Sequence, residues 1–229
     1  MINMDFIKVA SACPKTKVAD VEYNVGEILK CIKEANDKDA KAIVFPELCI
    51  TSYTCADLFL QDRLINESLK GIVSIMLETS NMDMLIAVGA PLLKGCTLYN
   101  CAFILFKGKI LGIVPKSYIP NYSEFYEKRW FTEGVGITNQ KVDLPFQKDI
   151  PFGTDLIFSS DIFNFGVEIC EDLWSPVPPS NTLAFAGADI IFNLSASDEL
   201  IGKHDYLKTL IAQQSARIIS GYVYSGCGF

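Results

Sequence analysis

Short, wholly apolar runs that end in polar residues alternate with segments of helical periodicity, and this alternation is the feature that most constrains the fold. Residues 42–45 form a run of the kind that is buried on both faces of a sheet, and it ends at Pro46-Glu47. Residues 84–89 form another such run, whereas apolar side chains recur at helical spacing over residues 25–35 and 64–77. The order strand, helix, strand predicts an α/β fold.

The rest of the chain continues this pattern. Further strands are predicted over residues 6–10, 99–106, 109–114, 163–169, 189–193 and 221–229. The strands at 99–106 and 109–114 are predicted to form a hairpin through Lys107-Gly108. A closing helix is predicted over residues 203–219. Residues 117–147 are rich in Tyr, Pro, Gly and charge, which predicts a long loop with short helical pieces, and Ser180 is the predicted cap of a short helix.

Length and composition favour one domain over residues 1–229. A chain of 229 residues with 50% hydrophobic content can bury one sizeable core. The formal net charge of −7 and the lack of a Lys/Arg cluster argue against nucleic acid as a partner. No apolar run reaches the roughly 20 residues that a membrane-spanning helix needs, and the start of the chain does not resemble a signal peptide. We therefore expect a cytoplasmic protein with a small-molecule substrate and no membrane partner.

Cysteine usage argues against a metal site. The chain has eight cysteines and a single histidine, His204, and no two cysteines form a C-x-x-C pair with the spacing of metal ligands. Reduced thiols are the expected state in a cytosol.

Three strand ends present chemically complementary side chains. Glu47 follows the strand at 42–45, Lys116 follows the strand at 109–114, and Cys170 follows the strand at 163–169. A carboxylate can take a thiol proton, a thiolate can attack an amide carbon, and an ammonium can hold the resulting oxyanion. Taken singly, each has a plainer interpretation, because a cysteine often packs as a small hydrophobe and a lone acid or lysine is often a solvated charge. The coincidence of all three favours amide hydrolysis.

These residues resemble the motifs of the nitrilase (carbon–nitrogen hydrolase) superfamily, which carries a Glu–Lys–Cys triad in this chain order. The matching segments are Phe45-Pro46-Glu47, Pro115-Lys116 and Ile169-Cys170-Glu171-Asp172. The resemblance implies a four-layer α-β-β-α sandwich, with its last strands expected to lie beyond this chain. It also implies a second catalytic glutamate after the lysine, which orients the lysine and assists proton transfer, and Glu124 is the residue predicted for this role.

Within the superfamily, the segments around Lys116 and Cys170 look like the N-terminal glutaminase domains of glutamine-dependent NAD synthetases. Resemblance then implies that Cys170 attacks the glutamine side-chain amide, that ammonia leaves, and that water hydrolyses the thioester to glutamate. Glu171 is a plausible partner for the substrate ammonium. The substrate pocket implied by the resemblance consists of Glu171, Tyr122, Tyr53, Phe125, Ser197 and Lys203.

The same resemblance implies a division of labour within a longer parent protein. The chain has no Gly-rich phosphate-binding motif, so no cofactor is expected in this domain and ATP, Mg²⁺ and deamido-NAD are expected to act in a synthetase domain that this chain lacks. A homo-oligomer is also expected. Two alternatives remain open: a stand-alone amidase or nitrilase of the same superfamily, and a catalytically silent binding or assembly module.

Overall fold

Two β-sheets pack face to face in the computed structural model, which describes residues 6–228. The larger sheet contains, in chain order, β1 Val9–Ser11, β2 Ala42–Val44, β3 Leu85–Lys94, β4 Thr97–Phe106, β5 Lys109–Pro115, β6 Gln140–Leu144 and β7 Gln147–Phe152. The smaller sheet contains β8 Phe158–Ser159, β9 Asn164–Ile169, β10 Ile190–Leu194 and β11 Gly221–Ser225. The spatial orders are β1-β2-β3-β4-β5-β7-β6 and β11-β10-β9-β8.

Helices cover the outer face of each sheet. They are α1 Val21–Asp37, α2 Asp62–Glu78, α3 Pro179–Phe185 and α4 Lys203–Ile218, and short 3-10 helices span Ala56–Leu60, Glu127–Arg129 and Cys170–Trp174. α1 begins where the Asp20 carboxylate accepts a hydrogen bond from the Tyr23 amide at 3.1 Å, as a helix N-cap does.

Three hydrophobic clusters define the order of the layers. The first lies between the seven-stranded sheet and the pair α1 and α2, and it includes the fully buried Ile28 and Ile72. The second lies between the two sheets, where Val44 and Ile104 of one sheet share a cluster with Phe192 of the other. In the third cluster, side chains of α3, β10 and the end of α4 pack together. The order is therefore helices, sheet, sheet, helices, and the predicted four-layer sandwich is confirmed.

One part of the predicted secondary structure is wrong. Residues 140–144 are predicted as loop, yet they form β6, which pairs antiparallel with β7. Along this strand only Val142 and Leu144 are buried, so it alternates between buried and exposed residues like any half-buried strand. Its polar face made the surrounding composition look like a loop.

Two smaller differences concern the cap of α3 and the end of the last strand. Ser180 does not cap α3, because Pro178 is the residue before the helix and Ser180 lies buried within its first turn. The last predicted strand ends at Ser225, and residues 1–5 and 229 of the predicted domain lie outside the described part of the chain.

Parallel pairing brings the candidate residues to one end of the sandwich. β1, β2 and β3 are parallel to one another, as are β9, β10 and β11. The carboxyl ends of β2 and β9 therefore lead to Glu47 and Cys170. β5 is antiparallel to β4, and Lys116, which follows β5, lies beside Glu47 at the same end of the sandwich. Within residues 6–228, no helix has the length and apolarity needed to cross a bilayer.

Candidate active site

Glu47 is held in a tight turn directly after β2. The turn lies against Gly89 of β3, where an added Cβ would meet the Leu48 amide nitrogen at 2.4 Å and the Pro46 carbonyl oxygen at 2.7 Å. Only a glycine permits such a close approach between two backbones. The Glu47 side chain is fully buried as a result, and a buried carboxylate needs partners.

Lys116 supplies the main partner of Glu47. Its Nζ lies 2.6 Å from Glu47 Oε1 and 2.8 Å from Oε1 of Glu127, and all three side chains are almost completely buried. The Lys116 amide donates to the Asn100 carbonyl at 2.8 Å, which sets where the lysine leaves the sheet. An ammonium has three N–H donors, so one remains for an oxyanion after both carboxylates are bonded.

Cys170 lies at the sharp turn between β9 and a 3-10 helix. Its φ of 44° is in the left-handed region, which is strained for a residue with a side chain. Two contacts hold this conformation: the Cys170 amide donates to Asn193 Oδ1 at 3.1 Å, and the Ser195 hydroxyl donates to Cys170 Sγ at 3.1 Å. The thiol is therefore oriented by two residues at the end of β10.

The carboxylate of Asp172 joins the loop of the cysteine to the loop of the lysine. Oδ2 accepts from the Ile169 amide at 2.9 Å and from the Ser117 amide at 3.3 Å, and Oδ1 accepts from the Tyr118 amide at 2.8 Å. One side chain thus fixes the backbone on both sides of the reacting groups.

Burial and charge together set the protonation state of the site. Burial raises the pKa of the Cys170 thiol and Glu47 raises it further, while Lys116 opposes the shift, so the resting thiol keeps its proton. Burial also raises the pKa of Glu47, against the effect of Lys116. Burial alone would lower the pKa of Lys116, but Glu47 and Glu127 raise it above its usual value, so the ammonium is charged. The site pairs a neutral thiol with a carboxylate and a fixed cation.

The structure corrects the choice of the second glutamate. Glu127, and not Glu124, lies against Lys116 at 2.8 Å, and it also accepts a hydrogen bond from the Tyr53 hydroxyl at 2.7 Å. Glu124 is exposed at the surface, where it lines the cavity that contains Cys170. Glu127, which comes three residues after Glu124, is therefore the glutamate placed to orient the lysine.

The cavity that contains Cys170 has a volume of about 550 Å³. Five of the six predicted pocket residues line it, namely Glu171, Tyr122, Phe125, Ser197 and Lys203. The sixth, Tyr53, lines a neighbouring cavity of about 820 Å³ and points its hydroxyl at Glu127. The two cavities share Phe125, Ser197, Glu124 and Asp198 along one wall.

An acid and a cation face the cavity beside the thiol. The Glu171 carboxylate accepts from the Tyr122 hydroxyl at 2.9 and 3.1 Å, and burial raises the pKa of Glu171. The Lys203 ammonium pairs with Asp198 and lies 5.5 Å from the centre of the Trp174 ring, within the range of a cation–π contact.

A further buried acid, Glu168 of β9, lies two residues before Cys170. Its oxygens accept from the Tyr222 hydroxyl and, at 2.8 Å, from the Ser180 amide. Tyr222 in turn accepts from Asn193 Nδ2 at 2.9 Å, and Asn193 holds the Cys170 amide. This Glu168 cluster connects the nucleophile to the helices that cover the small sheet.

Sequence analysis missed five residues of the site, and they are Asn100, Glu127, Asp172, Asn193 and Ser195. Asn193 and Ser195 do follow the apolar run of β10, so the strand-end rule that identified Cys170 also applies to them. Asp172 is part of the motif Ile169-Cys170-Glu171-Asp172, but the motif assigned it no role. Asn100 and Glu127 carry no local signal, because an Asn within a strand or an acid in a polar loop is usually solvated. Across residues 6–228, no three His, Cys, Asp or Glu side chains are grouped as metal ligands would be.

Comparison with known proteins agrees with this geometry. Residues 8–220 match the carbon-nitrogen hydrolase family, and the chain belongs to that family. Within it, the glutamine-dependent NAD(+) synthetase of Mycobacterium bovis is 37% identical over 97% of this chain, which covers 33% of that protein. The synthetase of the same description from Aquifex aeolicus is 33% identical over 86% of this chain, which covers 31% of that protein. The predicted resemblance is confirmed, and the chain spans about a third of the length of these curated relatives.

Solved structures give the same fold. A crystal structure of a glutamine-dependent NAD(+) synthetase from Cytophaga hutchinsonii superposes with a TM-score of 0.86 at 29% identity, covering 97% of this chain and 36% of that one. A mutant of a Nesterenkonia amidase from the nitrilase superfamily superposes with a TM-score of 0.77 over 96% of this chain and 76% of that one. At 13% identity, the amidase shares the fold alone with this chain.

Proposed function

We propose that this chain is a glutaminase, which hydrolyses the side-chain amide of glutamine to glutamate and ammonia through a thioester on Cys170. The observation that carries the proposal is the buried contact between Lys116 Nζ and Glu47 Oε1 at 2.6 Å, at the strand end beside a thiol that opens into a cavity. Similarity to glutamine-dependent NAD(+) synthetases over nearly the whole chain supports glutamine as the substrate.

In the first half of the reaction, the Cys170 sulfur attacks the amide carbon. Because the resting thiol is neutral, its proton must move to a base. The oxygen Oε2 of Glu47, which has no hydrogen-bond partner within residues 6–228, is available for it. The developing oxyanion is held by the remaining N–H of Lys116. The carbon–nitrogen bond then breaks, the Glu47 proton moves to the leaving nitrogen, and ammonia and a thioester result.

In the second half, water replaces ammonia. Glu47 takes a proton from the water as its oxygen attacks the thioester carbon, and Lys116 again holds the oxyanion. The carbon–sulfur bond breaks, the proton returns to the sulfur, and glutamate leaves. Glu127 lies 2.8 Å from the Lys116 ammonium and keeps it in place throughout.

Recognition of the amino-acid end requires opposite charges at the mouth of the site. Glu171 is next to the nucleophile and suits the substrate ammonium, whereas Lys203 suits the substrate carboxylate. Lys203 is paired with Asp198 in the free protein, and its side chain is about one-fifth exposed, so a substrate carboxylate can reach a second N–H of the same ammonium.

The parent context is part of the same proposal. We propose that the ammonia is used by an ATP-dependent synthetase domain with Mg²⁺ and deamido-NAD, and that the protein is cytoplasmic. Support comes from the relatives, of which this chain covers about a third. Association into a homo-oligomer stays a prediction.

A stand-alone amidase is the second candidate, because the Nesterenkonia amidase shares the fold and this chain covers 76% of it. Ammonia release from glutamine, asparagine and a simple aliphatic amide separates the two candidates. A glutaminase releases ammonia from glutamine and little from the others, whereas an amidase accepts the aliphatic amide.

The Cys170→Ala variant abolishes release in either case, while Cys49→Ala, which removes another buried thiol, leaves most of it. Lack of turnover together with lack of Cys170 labelling by amide-like electrophiles would identify a silent module instead.

Adding a synthetase half with ATP and deamido-NAD is expected to speed glutamate formation. Equal rates of glutamate formation with and without the synthetase half would contradict the coupling alone.

A further inference from the structure

Asn100 of β4 contacts Glu47, Lys116 and Glu127, the three residues of the buried ion-pair cluster. Its side-chain Nδ2 lies 2.6 Å from Glu47 Oε1 and 3.5 Å from Glu127 Oε2, and its carbonyl accepts from the Lys116 amide at 2.8 Å. The residue is 1% exposed. Neither the reaction described above nor the sequence motifs assign it a role.

The two oxygens of Glu47 are hydrogen-bonded unequally, and Asn100 adds to the difference that Lys116 makes. Oε1 accepts from both Lys116 and Asn100 at 2.6 Å, whereas Oε2 is buried without a hydrogen-bond partner among the described residues. Asn100 Oδ1 is likewise buried without a partner in that part of the chain. Reversing the amide would place Oδ1 against two carboxylates, so the orientation with Nδ2 facing them is the one that the contacts require.

The charges explain why a neutral donor is needed here. Two carboxyl groups, those of Glu47 and Glu127, share the single ammonium of Lys116, and all three side chains are almost completely buried. Two carboxylates that share a site tend to keep a proton between them, and a protonated Glu47 cannot act as a base. An amide donor stabilises the ionised forms without adding a charge.

We propose that Asn100 is a positioning residue that occupies Oε1 of Glu47, keeps Glu47 ionised beside Glu127, and leaves Oε2 as the oxygen that accepts the thiol proton. The inference rests on the proposed thiol chemistry but not on glutamine as substrate. Groups that interact electrostatically with Glu47 are Lys116, Glu127, Cys170, Tyr53, Tyr224 and Cys227.

Alkylation of Cys170 by iodoacetamide, followed across pH by peptide mass spectrometry, tests the proposal without a substrate. The sulfur–carbon bond forms, iodide leaves, and the thiol proton moves to Glu47. The acid limb of the pH profile of the labelling rate therefore reports the ionisation of Glu47. The variants are Asn100→Asp, which replaces the donor by a third carboxyl group, and Asn100→Ser, which retains a hydroxyl donor. Asn24→Ser is the matched control, because Asn24 is fully buried but bonds to the Lys17 and Ile50 carbonyls.

The acid limb of Cys170 labelling is expected to move to higher pH by about one unit or more in Asn100→Asp and by less in Asn100→Ser. The Asn24→Ser variant keeps the wild-type midpoint even where its melting temperature falls. An unchanged midpoint in a folded Asn100 variant would overturn the proposal and leave Asn100 a structural residue. Should Asn100→Asp fail to fold, Asn100→Ser decides alone. Absence of glutamine turnover with a shifted labelling midpoint contradicts the glutaminase proposal and supports this one.

Discussion

The two buried carboxyl clusters near Cys170 differ in how completely their oxygens are bonded. In the first, Glu47 and Glu127 share one ammonium, and Glu47 Oε2 lacks a partner among the described residues. In the second, both oxygens of Glu168 have neutral donors, the Tyr222 hydroxyl and the Ser180 amide. Glu47 and Glu168 are both fully buried, so burial alone does not distinguish a reacting acid from a structural one.

This difference shows what each cluster does for the cysteine. A free oxygen next to a fixed cation can take and return a proton, which suits the Glu47 cluster to chemistry. A fully bonded carboxyl group held by neutral donors keeps its neighbours in place, and the Glu168 cluster ends at Asn193, which holds the Cys170 amide.

Replacing each acid by its amide is the strongest test of the comparison. Glu47→Gln removes the base and is expected to lower kcat by about 10²- to 10⁴-fold, measured as ammonia released. Glu168→Gln keeps one acceptor for the Ser180 amide and is expected to lower kcat by less than about tenfold while lowering the melting temperature. Equal losses of kcat in the two variants would remove the distinction between the clusters.

Removing the cation is expected to have the next largest effect. Lys116→Met keeps the length of the side chain but leaves two buried carboxylates unpaired, so we expect a loss of kcat of about a hundredfold. We also expect about 3 kcal/mol of lost stability, measured by denaturant unfolding. Lys109→Met changes an exposed lysine at the start of β5, the strand that Lys116 follows, and serves as the control. A near-normal rate for Lys116→Met would exclude an oxyanion role for Lys116.

The choice between the two loop glutamates gives a smaller effect. Glu127→Gln removes one of the two charges that hold Lys116 and is expected to lower kcat by about tenfold. Glu124→Gln changes a residue on the cavity wall, so we expect its effect in KM with kcat nearly unchanged. Steady-state kinetics of both variants decide the matter, and the reverse pattern would restore Glu124 to the catalytic role.

The pH dependence of stability gives the smallest effect. Burial raises the pKa of Glu168, so the folded protein retains a proton that the unfolded chain loses above its ordinary pKa of about 4.3. The folded state binds more protons, and this group's contribution to stability falls as pH rises from that value to its raised pKa. Denaturant unfolding at several pH values is expected to show a steeper decline in wild type than in Glu168→Gln. Parallel curves would mean that Glu168 is ionised when folded.

The sequence was sufficient to identify the strand ends that carry Glu47, Lys116 and Cys170. Apolar runs buried on both faces are local signals, and parallel pairing brings the carboxyl ends of such strands to one edge. The same reasoning located the hairpin of β4 and β5 and the helix α4, and the resemblance carried by the strand-end motifs implied the four layers.

The three-dimensional arrangement was needed to establish which glutamate reaches Lys116 and that Asn100 spans the two carboxylates. Glu127 begins a 3-10 helix that ends at Arg129. Arg129 ties this helix to a distant segment, because it donates to both oxygens of Asp57 at 2.7 and 2.8 Å. Glu124 and Glu127 lie three residues apart in a polar loop with no periodicity to separate them. Contacts between residues far apart in sequence, such as Asn100 and Glu47, arise from the sheet register and leave no local pattern from which they could be read.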